Sequence, residues 1–356
     1  MSIKNPAAHP VTLRRLERHW SQSDLADHAG VPRSTISAIE SRRLTPSVSA
    51  ALAVARALGV TVESLFATVD GAATDLEWAW APPTHPCRYW EARVGARHLA
   101  YPTESLSTNA FAHDGVWKDG AHRSGGASRA AETLVLACCD PGAGLLAAEY
   151  ARTTGFRLLV LERGGLDALD LLKRGLVHLA GLHFATADDP DRHVAIARNA
   201  LGAGHALIRA AEWEEGLALP VGGRSDSTDA LLSRCDRWAL REPGSAARDC
   251  LDAVLGPDRA PVGHVVRGHA SVASAVRAGW ADAGVCIRLS AEEAGLAFRP
   301  LREESLDFCV AESQLSEPRI RGLIRVLQSH AHRALLEDLP GYRSRFTGEI
   351  RPIPAP

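Results

Sequence analysis

From Glu132 to Phe184 the chain repeats one pattern, and that pattern limits the folds open to it. Thr133–Cys139 is an apolar run of strand length, and a helix pattern follows over Leu145–Thr153. Phe156–Glu162 is a second run, Asp167–Arg174 a second helix pattern, and Leu176–Phe184 a third run. Strands alternating with helices of this length predict βαβαβ, hence parallel strands joined by right-handed crossovers. In such a sheet a ligand sits beyond the carboxyl ends of the strands. That rule makes Cys139, Asp140, Pro141 and Gly142 one rim of a pocket, with His183 and Phe184 at another.

A second α/β half follows. Trp238–Arg241 reads as a strand, and Glu242-Pro243-Gly244-Ser245 leads into a helix through Leu255. Ser245 has the side chain of an N-cap, and Arg248 stands one turn in, so this helix start is a candidate anion seat. His264–Val266 is extended, His269–Ala278 helical, and residues 281–287 form a turn and strand. Ser290 starts another helix, Phe298–Leu301 and Leu306–Val310 read as two extended pieces, and Pro318–Leu336 as one long last helix.

The N-terminal 67 residues have a different rhythm. Leu13, Leu16 and Trp20 share one helical face, which predicts a first helix packed through them. Ser21-Gln22-Ser23-Asp24 caps a second helix, and Gly30 stops it by supplying positive φ. Pro32 opens a third helix with Ile36 and Ile39 inward, leaving Arg33, Ser34, Thr35 and Ser37 on its other face. A fourth helix carries Val48, Leu52, Ala55 and Leu58 and ends at Gly59.

Residues 68–131 hold Trp78, Trp80, Pro82, Pro83, Pro86, Trp90 and Trp117 and end in the Gly/Ser/Arg-rich stretch 120–129. They read as a linking segment with some strand. The chain of 356 residues has a formal net charge of -2, so nucleic-acid binding needs a local basic surface. The seven cysteines have no framework spacing, as in a chain with reduced thiols. Residues 1–10 lack the apolar core of a signal peptide, and the apolar runs are too short to span a bilayer. The expected location is the cytoplasm.

The string Ser21-Gln22-Ser23-Asp24-Leu25-Ala26, then Gly30-Val31-Pro32-Arg33-Ser34-Thr35-Ile36-Ser37-Ala38-Ile39-Glu40, then Ala57-Leu58-Gly59-Val60, resembles the Cro/CI-type (XRE) helix-turn-helix family. The resemblance implies a third helix lying in the major groove of double-stranded operator DNA. Arg33 then suits guanine, Ser34 and Ser37 less selective base edges, and Arg42 and Arg43 the phosphates. The resemblance also puts Gln22 on a phosphate, with Thr35 a further backbone candidate, and makes Glu40 structural. One such domain covers one half-site, so a homodimer is expected.

The later part resembles the type II periplasmic-binding-protein-like superfamily, in its helix-turn-helix-fused branch. Asp140-Pro141, residues 175–183, Arg241 with Pro243-Gly244-Ser245 and Arg248, His269 through Asp282 to Gly284, and Gly341-Tyr342 carry it. The fold class is therefore multidomain. An all-α bundle over 1–67 precedes an α/β two-lobed domain over 132–345 and a tail over 346–356. One lobe is expected over about 132–210 and 306–345, and the other over about 211–305. The chain crosses between lobes near Ile208–Trp213 and returns near Ser305–Phe308. The resemblance implies a small ligand between the lobes, an oxyanion such as molybdate or tungstate or a related metabolite. Its candidates are Cys139, Asp140, Pro141, Gly142, His183, Arg241, Gly244, Ser245, Arg248, His269 and Asp282. The family's glycine-threonine pair after Ser245 is Ala246-Ala247 here, which removes a hydrogen-bond donor from the seat.

No cofactor or metal is expected. His178 and His183 are five apart in a strand and face opposite sides, and His178 reads as packing. His85, Cys87, His98 and His113 have no metal-site spacing. Cys138 and Cys139 read as strand packing, with a thiol sensor at Cys139 the lesser reading. The chain holds no GxSxG, Walker or HExxH string, so an enzyme is not expected. Two other readings stand beside the regulator: an enzyme of molybdenum-cofactor metabolism with a DNA-binding domain, and a protein-interaction adaptor.

Overall fold

The computed structural model describes residues 9–41, 43–66, 76–104, 112–221 and 227–354. They fall into two compact units, one up to Thr74 and one from Asp75 onward.

The first unit is five helices: α1 (Pro10–Glu17), α2 (Gln22–Ala29), α3 (Arg33–Glu40), α4 (Val48–Leu58) and α5 (Val62–Phe66). Ser21 and Asp24 form a reciprocal capping box on α2, and Gly30 closes it at φ +62. Val11, Leu25, Ile36, Ile39, Val54, Leu58 and Leu65 make its core.

The α1 face differs from the expectation. Leu13 and Leu16 are 51% and 55% exposed, and α1 turns Val11 and Arg15 inward instead. Arg15 forms a two-pronged ion pair with Glu40 at 2.7 and 3.0 Å, and Gln22 Nε2 donates to the same carboxylate at 2.8 Å. Leucine spacing therefore misjudged the helix, because a charge pair rather than an apolar stripe fastens it. In α4, likewise, Val48 and Leu52 are exposed while Ala51, Val54, Ala55 and Leu58 are buried.

The second unit begins with the Trp- and Pro-rich stretch, which builds a sheet rather than a connection. Its strands are β1 (Leu76–Trp78), β2 (Cys87–Val94), β3 (Arg97–Pro102), β4 (Gly115–Lys118) and β5 (Ala121–Ser124), ordered β1-β3-β2-β4-β5. Trp90, Leu99 and Tyr101 share a core with Val135, Leu161 and Leu176 of the following layer. Arg157 fixes this sheet by donating to both Asp114 oxygens at 2.7 and 2.6 Å and to the Glu91 carbonyl at 2.9 Å. A linker reading misses this because the contacts that anchor the sheet, such as Arg157 on Asp114, come from distant sequence.

Next come β6 (Thr133–Cys138), α6 (Ala143–Thr154), β7 (Arg157–Glu162), α7 (Gly165–Lys173), β8 (Leu179–Thr186) and α8 (Arg192–Leu201). β6 pairs in parallel with β7 and with β8, as the βαβαβ pattern requires. Then follow β9 (His205–Leu219), α9 (Thr228–Arg234), β10 (Trp238–Leu240), α10 (Ala246–Leu255), β11 (Gly263–Val265), α11 (Gly268–Arg277), β12 (Ala283–Ile287) and α12 (Arg288–Glu293). β10 lies parallel between β11 and β12.

β13 (Ala297–Ala311) is a single 15-residue strand, not two pieces. It pairs antiparallel with β9, also 15 residues, along nearly their whole length. β13 adds to the β8 edge and β9 to the β12 edge, so the two long strands join the two parallel half-sheets. Register shifts at Pro300/Arg302 and Leu306/Asp307 bend the pair where it passes from one half to the other. Gly216 sits opposite Pro300, where an added Cβ would lie 2.1 Å from the Arg299 carbonyl oxygen, so only glycine fits. The long terminal helix is two helices, α13 (Pro318–Gln328) and α14 (His330–Glu337). Ser329 ends the first and its hydroxyl caps the second. β14 (Tyr342–Arg343) and β15 (Ile350–Pro352) lie along β9.

Because the Arg15–Glu40 pair is nearly buried, removing one partner strands a charge. Glu40→Ala is expected to lower the opening free energy of α1 and α3 by about 3 kcal/mol in native-state hydrogen exchange. A change under about 1 kcal/mol would show that the pair does not fasten the helix.

Candidate functional site

The two half-sheets meet at a cluster of buried polar side chains. The first lobe supplies Cys139, just past β6, and His183 from β8. The second supplies Arg241, just past β10, and His269 from the first turn of α11. Cys139 Sγ lies 3.0 Å from His183 Nε2 and 3.8 Å from His269 Nε2. The long strands thread the cluster with Trp213 and Glu215 on β9 and Arg302 and Glu304 on β13.

Hydrogen bonds order these groups. Glu304 accepts from His183 Nδ1 at 2.9 Å and from Trp213 Nε1 at 3.2 Å. Arg302 donates to Glu215 at 2.8 and 3.1 Å and pairs with Glu304 as well. Arg241 spends Nε and Nη2 on Glu242, both at 2.9 Å. Its Nη1, and the Nδ1 of His269, have no hydrogen-bond partner among the described residues. Arg241 is 2% and His269 1% exposed, so these are costly vacancies in hydrogen bonding.

Burial shapes the charges. Burial pushes Glu215 up to about 8, with Glu304 adding to the effect and Arg302 opposing it. Burial raises Glu304 too. His269 is held well below the usual imidazole range by burial, then by the Arg241 and His183 charges. For His183 burial opposes protonation, but the Cys139 thiol and Glu215 outweigh it and raise the value.

Above the cluster a cavity of about 400 Å³ opens between the lobes. Trp80, Pro83 and Pro102 of the first sheet form one wall, and Arg163, Arg241 and Arg267 face it. Glu104, Glu162, Asp167 and Glu242 line the same space. Arg163 is paired with Glu104 and stacks on Trp80 at 5.0 Å. The lobes approach closely: a Cβ on Gly164 would lie 2.9 Å from Glu242, and one on Gly244 3.0 Å from Leu166.

Of the expected ligand residues, Cys139, His183, Arg241 and His269 converge. Asp140 is near, but its carboxylate accepts from the Gly142 N–H at 2.8 Å and from the Tyr342 hydroxyl, so it holds a turn. Pro141 is exposed, and Gly142 opens α6. Gly244, at φ +84, and Ser245 shape the turn after Arg241. The Ser245 hydroxyl donates to the Glu242 carbonyl and caps α10. Two more are engaged with neighbours on their own lobe, away from the cluster. Arg248 is engaged with Asp252 one turn on at 2.9 Å, an exposed i,i+4 pair. Asp282 accepts from Arg237 and from the Asp236 and Arg237 backbone, bracing a surface turn. The anion seat at α10 therefore lacks its guanidinium. His178 is packing, as read: Nδ1 accepts from Val135 N–H and Nε2 meets the Arg93 carbonyl.

Trp213, Glu215, Arg302 and Glu304 escaped sequence reasoning. Reading β13 as two pieces put residues 302–305 in a loop. The available signal was charge inside strand-like runs, Trp213-Glu214-Glu215 and Arg302-Glu303-Glu304.

In the first unit Arg33 and Ser34 are exposed on α3, and Thr35 and Ser37 are half-buried. Arg43 is exposed, its Nε on Ser41. Gln22, expected on a phosphate, is tied to Glu40. Arg42 lies outside the described residues.

Residues 147–328, half of the chain, match the PBP superfamily domain. The chain belongs to the PBP superfamily. Residues 12–65 match the helix-turn-helix family, so a DNA-binding domain precedes the PBP-like ligand-binding domain. That pairing suggests a regulator or binding protein rather than an enzyme. A relative from Bacillus subtilis (strain 168), the uncharacterized protein YvgK, is 29% identical over 197 residues, covering 53% of this chain and 63% of its own length. Solved structures similar to the PBP-like region include PhnD1 of Prochlorococcus marinus with methylphosphonate, 12% identical, covering 59% of this chain and 92% of that one, TM-score 0.43. A phosphate transport receptor of Vibrio cholerae is 14% identical over 59% of this chain and 99% of its own, TM-score 0.42. Reduced OxyR of N. meningitidis is 13% identical over 59% and 97%, TM-score 0.41. No helix among the described residues is long and apolar enough to cross a membrane.

Glu215 makes stability depend on pH. Its folded value of about 8 exceeds the ordinary 4.5, so the folded chain holds a proton that the unfolded chain has released. The stabilisation is complete below pH 4.5 and is lost as pH rises through about 8. Glu215→Gln is expected to flatten the fall in stability between pH 5 and 8.5 by up to about 1.4 kcal/mol per pH unit. Denaturant melts across that range test it, and an unaltered slope would refute it.

Proposed function

We propose that the chain is a sequence-specific transcriptional regulator whose PBP-like domain senses a small ligand between its two lobes. One observation carries the ligand reading: groups from both lobes converge at a buried junction, where Arg241 Nη1 and His269 Nδ1 are left without partners among the described residues. Burial without partners is costly, and a ligand that met these groups would favour the closed arrangement of the lobes.

On DNA, Arg33 and Ser34 read base edges from the start of α3, with Thr35 and Ser37 beside them, and Arg42 and Arg43 meet phosphates. Gln22 acts by holding Glu40, hence the seat of α3. The protein works as a homodimer on two half-sites. An oxyanion such as molybdate or tungstate is the less favoured ligand. Arg248 is committed to Asp252, and four carboxylates line the cavity.

Salt-dependent retention of the full chain on DNA upstream of its own coding sequence tests the regulator reading. Arg33→Ala is expected to cost about 1–3 kcal/mol of discrimination at one position, while Arg43→Ala weakens all sequences alike. DNA binding indifferent to both changes would refute the assignment.

The ligand reading is tested by thermal shift. A ligand at a hundredfold its Kd is expected to add about 2.7 kcal/mol to the native chain, and Arg241→Met to abolish that gain. A full response in Arg241→Met would move the site elsewhere.

A further inference from the structure

Three side chains at the lobe junction present a soft-metal donor set. Cys139 Sγ, His183 Nε2 and His269 Nε2 lie within 4.8 Å of one another, and all three residues are buried. A tetrahedral zinc ion with Zn–S about 2.3 Å and Zn–N about 2.1 Å sets its S···N separations at about 3.6 Å. The two observed separations from the sulfur, 3.0 and 3.8 Å, bracket that value. Shifts well under 1 Å would bring both sulfur–nitrogen separations to that value.

The surroundings match in two further ways. His183 gives its Nδ1 to Glu304, so Nε2 is the ring nitrogen that faces the sulfur, and Trp213 steadies the same carboxylate. A carboxylate behind a metal-binding imidazole fixes the tautomer and strengthens the ligand. His269 Nδ1 has no partner among the described residues in a residue 1% exposed, so none of them turns that ring away by a hydrogen bond.

We propose that Cys139, His183 and His269 bind one borderline-soft transition-metal ion of the Zn²⁺ class, and that this ion is a second signal the PBP-like domain reads, beside the small ligand that meets Arg241. The inference rests on the proposed function for its second half only. Two ligands belong to the first lobe and His269 to the second, so the ion bridges the lobes and favours their closure. Sulfur and imidazole donors select zinc-like or softer ions over Mg²⁺ and Ca²⁺. Three protein ligands leave a fourth position open.

The test uses the full chain, reduced and stripped by chelator. Titration with Zn²⁺ against a chromogenic chelator is expected to show one tight equivalent, and Co²⁺ to give thiolate-to-cobalt charge-transfer absorption. Cys139→Ser should abolish that absorption, while Cys87→Ser, on β2, should leave it intact. Glu304→Gln should weaken Zn²⁺ by ten- to a hundredfold. Should Cys139→Ser fail to fold, X-ray absorption of the zinc-loaded native chain still decides. One sulfur and two imidazoles support the site, and a shell of oxygens alone overturns it. Absence of a tight equivalent, or charge transfer that survives Cys139→Ser, also overturns it. DNA retention is measured with and without Zn²⁺ in parallel. Metal bound with no DNA binding by the chain would sink the regulator and leave the site standing. DNA binding that answers another small ligand in a chain that holds no metal would sink the site and leave the regulator. A bound ion that leaves DNA binding unchanged would overturn its role as signal.

Discussion

The antiparallel pairing of β9 with β13 is the constraint on which the larger unit depends. Each strand is long enough to run through both lobes, and each half-sheet is grafted onto one of their outer edges. The two βα halves are therefore not free bodies tied by loose chain. A bent ladder joins them, and its bends fall at two register shifts. Residues between those shifts lie at the lobe junction, and Arg302 and Glu304 are among them. The same ladder that holds the lobes also places the charges that line the meeting point.

That placement has an energetic consequence. A strand buried on both sides ordinarily carries apolar residues, yet Glu215 and Glu304 are fully buried. Arg302 compensates part of the cost at Glu215, and His183 and Trp213 part of the cost at Glu304. Protein sequences keep such arrangements at functional sites, where polar groups are held ready in a low-dielectric setting. In the helical unit the Arg15–Glu40 pair has a different purpose. It locks the first and third helices, with Gln22 as a third member, and leaves the Arg33 end of the third helix exposed.

Local chemistry made much of the architecture readable. The capping box at Ser21 and Asp24, the turn at Gly30 and the parallel β6-β7-β8 order all follow from short-range rules, and all are present. The expectations that failed needed distant information. Leu13 and Leu16 have the spacing of a buried face, but their helix is fastened by a glutamate 25 residues away. The Trp-rich stretch looks like a connection because its partners, such as Arg157, lie 43 residues on from Asp114. Arg248 has the position of an anion ligand, yet Asp252 one turn on engages it.

The sequence by itself determined the helix-turn-helix, the α/β character of the later part, and four members of the junction: Cys139, His183, Arg241 and His269. These stand at strand ends or helix starts, and such positions are marked by periodicity within a few residues. Only the tertiary structure decided that they touch, and that Trp213, Glu215, Arg302 and Glu304 stand with them. Cys139 is 44 residues from His183 and 130 from His269, and no local period encodes a separation of that length. It is set by strand order and by the register of one ladder, quantities that exist only once the sheet has formed.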